Sequence, residues 1–183
     1  MIPEIPKNGL TMILGGARSG KSSFVERIAR DSGKSVLFIA TASAGDDEMA
    51  ERIRNHQASR PAGWQTLECP FNIGRHLDEL RAEVVIIDCI TLLVSNILLS
   101  FPEDTPVETV TNNVSREVVE LLDAQSGLGG QWLVVSNEVG LGLVPPYPQG
   151  RIYRDLLGRA NQNLAQAAKR VILMVAGIPM VIK

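Results

Sequence analysis

The chain has 183 residues, 45% of them apolar, the length and composition of one globular domain able to bury its own core. Its 18 Lys and Arg against 20 Asp and Glu leave a net charge of −2. That argues against a dedicated nucleic-acid binder, but not against a small anionic ligand held by a few placed cations. Cys69 and Cys89 lie far apart without metal-like spacing, so the sequence fits a reducing cytoplasm. Met1 to Gly9 contain Pro3, Glu4, Pro6 and Lys7 and no long apolar stretch. No signal peptide is expected there, and residues 1–9 read as a short flexible tail before one domain spanning 10–183. The most apolar stretch, Val84 to Leu99, is broken by Asp88 and Asn96, which speaks against a membrane span.

Beyond the tail, strand and helix patterns alternate. Leu10 to Leu14 is a short apolar run ending in glycines, hence a buried strand. Ser22 to Asp31 places Phe24, Val25, Ile28 and Ala29 on one helical face and stops at Gly33. Ser35 to Ala42 reads as strand, Asp47 to Arg60 as helix, Trp64 to Cys69 as strand and Ile73 to Arg81 as a short helix. Val84-Val85-Ile86-Ile87-Asp88 is a β-branched run expected of a strand buried on both faces. Ile90 to Ser100 reads as a buried helix. Thr105, Pro106 and Glu108 supply an N-cap, a first-position proline and a capping-box carboxylate for a helix running to about Ser126. Trp132 to Ser136 is strand, residues 140–150 a Pro- and Gly-rich loop, and Ile152 to Lys169 helix. Val171 to Val175 is a last core strand, with Met180 to Lys183 at the edge. Such βα alternation predicts a single α/β domain, a mostly parallel sheet covered by helices on both faces.

The chemistry begins between the first strand and the first helix. Gly15-Gly16-Ala17-Arg18-Ser19-Gly20-Lys21-Ser22 satisfies G-x-x-x-x-G-K-[ST] in full. Glycines let successive backbone N–H groups turn inward around phosphate oxygens, and the helix N-terminus adds partial positive charge. Lys21 is expected to reach the β- and γ-phosphates and the Ser22 hydroxyl to bind Mg²⁺, with Ser23 completing the nucleotide-binding set. Asp88 closes a central strand, where a carboxylate can hold the same Mg²⁺. Its bland alternative is a cap for the following helix.

Arg52, His56 and Arg60 are spaced i, i+4, i+8 and share one helical face. A solvated charged face explains that spacing. So does a nucleotide-handling face, in which two guanidiniums grip phosphates and a neutral imidazole attacks phosphorus. With an unperturbed pKa of about 6.5, histidine is largely neutral at physiological pH. His76 reads as ordinary surface.

With these residues in place, the chain resembles the bifunctional adenosylcobinamide kinase/adenosylcobinamide-phosphate guanylyltransferases of cobalamin biosynthesis. The resemblance runs from about Met12 to Lys183. It rests on GGARSGKS at 15–22, IATA at 39–42, DDEMAERIRNHQASRP at 46–61, DCITLLVSNIL at 88–98, VSNEVGLGLVP at 135–145, YRDLLGRANQNLA at 153–165 and the ending VAGIPMVIK. It implies a RecA-like P-loop fold, a homotrimer, Mg²⁺ as cofactor, and GTP and ATP as substrates. Two reactions are implied on a corrinoid partner, with no nucleic acid and no membrane. A nucleoside triphosphate phosphorylates adenosylcobinamide, and GMP is then passed from GTP through a histidine to the phosphate, giving adenosylcobinamide-GDP. The family's histidine falls on His56, which makes it the nucleophile, with Lys21 as the catalytic cation. Some relatives carry glutamate where Asp88 stands, one methylene longer.

Other residues are more open. Glu68 ends a strand and is a candidate nucleotide-site residue, toward Mg²⁺ or a substrate hydroxyl. Asn137-Glu138 follows a strand at its carboxyl edge, where doubly wound folds place ligand contacts, and Glu138 rules out an N-K-x-D guanine reader. Arg151, Arg154 and Arg159 are candidates for phosphate, for a neighbouring subunit or for plain solvent. Thr41 and Ser43 are loop donors. Against the bifunctional reading stand another small-molecule P-loop kinase, a non-catalytic nucleotide switch and, less well supported by the acidic composition, a RecA-like motor.

Overall fold

A computed structural model describes residues 3–43, 51, 60–77 and 82–183. Arg52, His56 and nearly all of the expected helix 47–60 lie outside the described residues, as do 78–81 of the expected helix 73–81.

Among the described residues the strands are β1 (Gly9–Gly15), β2 (Val36–Ala40), β3 (Gln65–Glu68), β4 (Val84–Asp88), β5 (Gln131–Val135), β6 (Arg170–Val175) and β7 (Ile178–Val181). The helices are α1 (Lys21–Asp31), α2 (Ile90–Leu99), α3 (Val107–Leu128) and α4 (Pro148–Ala167). The strands form one sheet in the order β3-β2-β4-β5-β1-β6-β7, with only β7 antiparallel. The parallel α/β domain expected from the alternating pattern is therefore present.

Period-two alternation sorts the strand side chains onto two cores. Ile13, Phe38, Ala40, Ile86, Leu133 and Val135 pack with Phe24, Val25 and Ala29 of α1. Met12, Leu37, Ile39, Ile87, Trp132 and Val134 face the other way, toward α2, α3 and α4. Each large side chain so buried contributes about 1.5–3 kcal/mol. Trp132 is fully enclosed, and its indole N–H donates to the Gly129 carbonyl at 2.7 Å. Ile5 packs against the α1-side core and the Pro6 carbonyl accepts from the Gln131 amide at 2.9 Å, so the segment before β1 lies along the sheet.

Three boundaries depart from the sequence expectation. Thr105 is not the cap of α3: Pro106 is, with φ −54° and ψ 131°, and no side chain caps the helix. The Pro106 carbonyl accepts from the Thr109 and Val110 N–H groups instead. Helix α4 starts at Pro148, four residues early, because proline suits the first helical position. Residues 73–76 form a 3₁₀ turn, not the start of an α-helix. Asn72 enters that turn at φ 57°, and the Glu117 carboxylate accepts from the Asn72 and Ile73 N–H groups, each at 2.8 Å.

Candidate active site

The carboxyl ends of β1, β2, β4 and β5 open onto a cavity of about 470 Å³. Residues 17–23 form one wall, with Asp88, Arg60 and Asn137 among the polar groups around the rest. Two glycines make the loop possible. A Cβ on Gly15, at φ 151°, would lie 2.5 Å from the Met174 carbonyl and 2.6 Å from Ser19 Oγ. Gly20 sits at φ 94° as the N-cap of α1, with Gly177 Cα 3.3 Å from where its Cβ would be. The Gly177 N–H donates to the Ser19 carbonyl at 3.0 Å, so the β6–β7 turn props the loop from behind.

Lys21 is 7% exposed, and its ammonium arches back over the loop to donate to the Gly16 carbonyl at 2.7 Å. Burial pushes it below the usual lysine range, while the negative charge of Asp88 acts against that shift. Cys89 is held the other way: enclosure, reinforced by Asp88, pushes its thiol up to about 11, so it stands in the wall as a neutral group.

Asp88 is carried on the rigid end of β4, paired with Ala40 and Val135 on its flanks. The Asp88–Cys89 peptide bond is cis. Thr41 ties the corner together: its hydroxyl donates to the Cys89 carbonyl at 2.7 Å and accepts from the Cys89 N–H at 2.8 Å. The Asn96 amide donates to the Thr41 and Pro70 carbonyls at 2.8 and 3.1 Å, locking the loops after β2 and β3 to α2. Ser43 donates to Asn96 Oδ1 at 3.2 Å.

Arg60 reaches the cavity along an aromatic support. Its guanidinium carbon lies 3.9 Å from the Phe38 ring centroid, Trp64 stacks on Phe38 at 6.4 Å, and Glu68 Oε1 is 3.5 Å away. Of the residues singled out from sequence, 17–23, Arg60 and Asp88 thus meet around one space, with Gly15 and Gly16 in the loop behind and Glu68 joined through Arg60. Two of the late arginines go elsewhere. Arg151 donates to the Pro145 and Pro146 carbonyls, and Arg154 pairs with Asp155 at 3.2 Å.

The donors present suit Mg²⁺. Ser22 and Asp88 offer oxygen ligands at the cavity, and the described residues hold no cluster of three or more His, Cys, Asp or Glu. Magnesium uses one or two protein oxygens together with substrate phosphates and water rather than an all-protein cage. Sequence reading passed over Phe38, Thr91 and Leu92, which also line the cavity. Strand alternation with Ala40 would have found Phe38, whereas Thr91 and Leu92 depend on where α2 begins.

This loop, helix and sheet define a P-loop nucleotide-binding protein of the α/β class. The profile of one family, cobinamide kinase / cobinamide phosphate guanyltransferase, matches residues 11–182, and the chain belongs to that family of enzymes. It is 44% identical over 174 residues to the bifunctional adenosylcobalamin biosynthesis protein CobP of Pseudomonas aeruginosa, covering 94% of this chain and 96% of that one. The Escherichia coli protein CobU, with the same description, is 39% identical over 185 residues, 95% of this chain and 99% of the relative. A RadB recombinase structure aligns with a TM-score of 0.49 at 13% identity, over 90% of this chain and 73% of that one. No helix among the described residues is long and apolar enough to cross a membrane.

Proposed function

We propose that this chain carries both transfers of its family at the cavity between the phosphate loop and Asp88. The observation that supports this most is the meeting of Lys21, Ser22, Asp88 and Arg60 around one space at the carboxyl ends of the sheet. In the kinase step the hydroxyl oxygen of adenosylcobinamide attacks the γ-phosphorus of ATP or GTP, and the nucleoside diphosphate leaves. Lys21 and the loop N–H groups stabilise the negative charge spread over the phosphoryl oxygens. Ser22 and Asp88 would hold Mg²⁺, which would supply further charge neutralisation.

In the second transfer an imidazole nitrogen of His56 attacks the α-phosphorus of GTP, the α–β anhydride bond breaks and pyrophosphate leaves. A phosphate oxygen of adenosylcobinamide phosphate then attacks the same phosphorus. The P–N bond breaks, His56 is freed and adenosylcobinamide-GDP forms. Arg52 and Arg60 are assigned to phosphate binding beside His56, and Glu68 to holding Arg60 in place. We also assign the protein to the cytoplasm and to a homotrimer.

Incubation with GTP labelled in the α-phosphate should leave acid-labile, base-stable label on the protein, which a chase with adenosylcobinamide phosphate removes. His56→Asn should lose the label while retaining phosphoryl transfer. Equal labelling of variant and wild type would displace His56 as the nucleophile.

A further inference from the structure

Strand β5 lies between β1, which delivers the phosphate loop, and β4, which delivers Asp88. Whatever stands just beyond the carboxyl end of β5 is therefore placed between Lys21 and Asp88. The chain continues the ladder there: the Ser136 N–H donates to the Ile13 carbonyl at 2.9 Å and the Glu138 N–H to the Gly15 carbonyl at 3.1 Å. Asn137, between them, turns its own N–H the other way, to Thr91 Oγ1 on α2 at 2.8 Å. Its carbonyl accepts from Asn161 Nδ2 on α4 at 3.0 Å. Asn161 is buried, and its Oδ1 accepts from the buried Ser136 hydroxyl at 2.7 Å.

Both polar atoms of the Asn137 backbone are thus fixed by side chains from two different helices. Among the described residues its side-chain amide makes no hydrogen bond, yet Asn137 lines the cavity. Alternation from Val135, which faces α1, puts Asn137 on the same side of the sheet as Asp88 and the phosphate loop. A carboxamide in that place is neutral, adds no charge against an anionic ligand, and offers an N–H donor of fixed origin.

We propose that Asn137 is a nucleotide-contacting residue whose amide N–H donates to the terminal phosphoryl group of the bound triphosphate, and that Thr91 and Asn161 are the positioning residues that hold it there. The inference deepens the nucleotide-site reading above and rests on it. Donation to a charged phosphoryl oxygen is a charge-assisted hydrogen bond, and its removal should cost tenfold or more in affinity (roughly, for bonds to ionised groups). The loss should fall on triphosphates alone, since a diphosphate leaves that position empty.

Calorimetry with adenosine 5′-(β,γ-imido)triphosphate and with ADP, each with Mg²⁺, reads that difference directly. Asn137→Ala should weaken the triphosphate analogue about tenfold or more and leave ADP within about twofold. Asn137→Asp, nearly the same size, should weaken it further, because a carboxylate then opposes the phosphate. Asn161→Ala should shift the same triphosphate-to-diphosphate ratio in a smaller step. A flat ratio in both Asn137 variants, or an equal loss for both nucleotides, overturns the contact. A lower Tm for Asn161→Ala with an unchanged ratio removes its positioning role. Wild-type protein that binds neither nucleotide would instead sink the nucleotide-site reading, and this inference with it.

Discussion

Lys21 in the cavity and Tyr153 behind it show how single side chains are held in chosen protonation states. The Tyr153 hydroxyl donates to the Thr91 carbonyl at 3.2 Å from α4. Burial first, and the nearby Cys89 second, push its phenol up from 10.0 to about 12. A folded-state pKa above the unfolded value means that the native protein keeps a proton that the unfolded chain has released. Its contribution to stability is complete below pH 10 and is lost as pH rises through about 12. Tyr153→Phe removes both the hydrogen bond and the titration. The variant should be less stable than wild type at pH 8 by about 0.5–1.5 kcal/mol, and the gap should close between pH 10 and 12. Urea midpoints at three pH values measure it. A gap that stays constant to pH 12 would mean that the phenol titrates alike in both states. Lys21 has the opposite sign, since burial lowers its pKa and disfavours the charged form. Stability is therefore sacrificed to keep an ammonium over the loop, consistent with a group kept for an anionic ligand.

At the level of elements, the short 3₁₀ turn at 73–76 has too few residues to stand alone and depends on α3. Glu117 is 5% exposed and spends both carboxylate oxygens on the two N–H groups that start the turn. Glu117→Gln keeps the shape but turns an amide N–H₂ toward one of those donors, leaving it unpaired. The expected cost is about 1–3 kcal/mol, seen as a lower denaturant midpoint with unchanged slope. A stability within about 0.5 kcal/mol of wild type would show that water replaces the carboxylate there. This link also marks where sequence reading stops. The strands and long helices were legible because period-two and period-3.6 patterns are local, and the phosphate loop because its spacing is. Glu117 meets its partners 44 and 45 positions away, and the Thr91–Asn137 bond spans 46. No local pattern encodes such pairs, so nothing in the sequence singled out Glu117, and Asn137 could be placed at a strand's carboxyl edge but not tied to Thr91 or Asn161. Thr105 misled for the reverse reason: a complete local signal was present, but Pro106 ended the extended segment one residue later.

For the whole molecule, the governing constraint is one phosphate loop and two transfers. The sequence holds a single G-x-x-x-x-G-K-[ST] match, at 15–22. In the kinase step the reacting phosphorus is the γ, whereas in guanylyl transfer it is the α, and the β- and γ-phosphates leave together. A loop that binds the phosphate chain in both cases must place different atoms at the reacting position. On the proposed reading, in which this loop serves both, the two reactions exclude one another on one subunit. The β,γ-imido analogue of ATP, occupying the loop, should inhibit histidine labelling by α-labelled GTP competitively, raising the apparent KM and leaving the maximal rate. Lys21→Ala should depress both transfers together, because its ammonium sits over the loop that both are proposed to use. With rates followed separately as label on protein and as phosphorylated corrinoid, noncompetitive inhibition would require a second nucleotide site. So would a Lys21→Ala protein that still labels at the wild-type rate. Competitive inhibition with parallel loss would fix both chemistries to the cavity between β1 and β4.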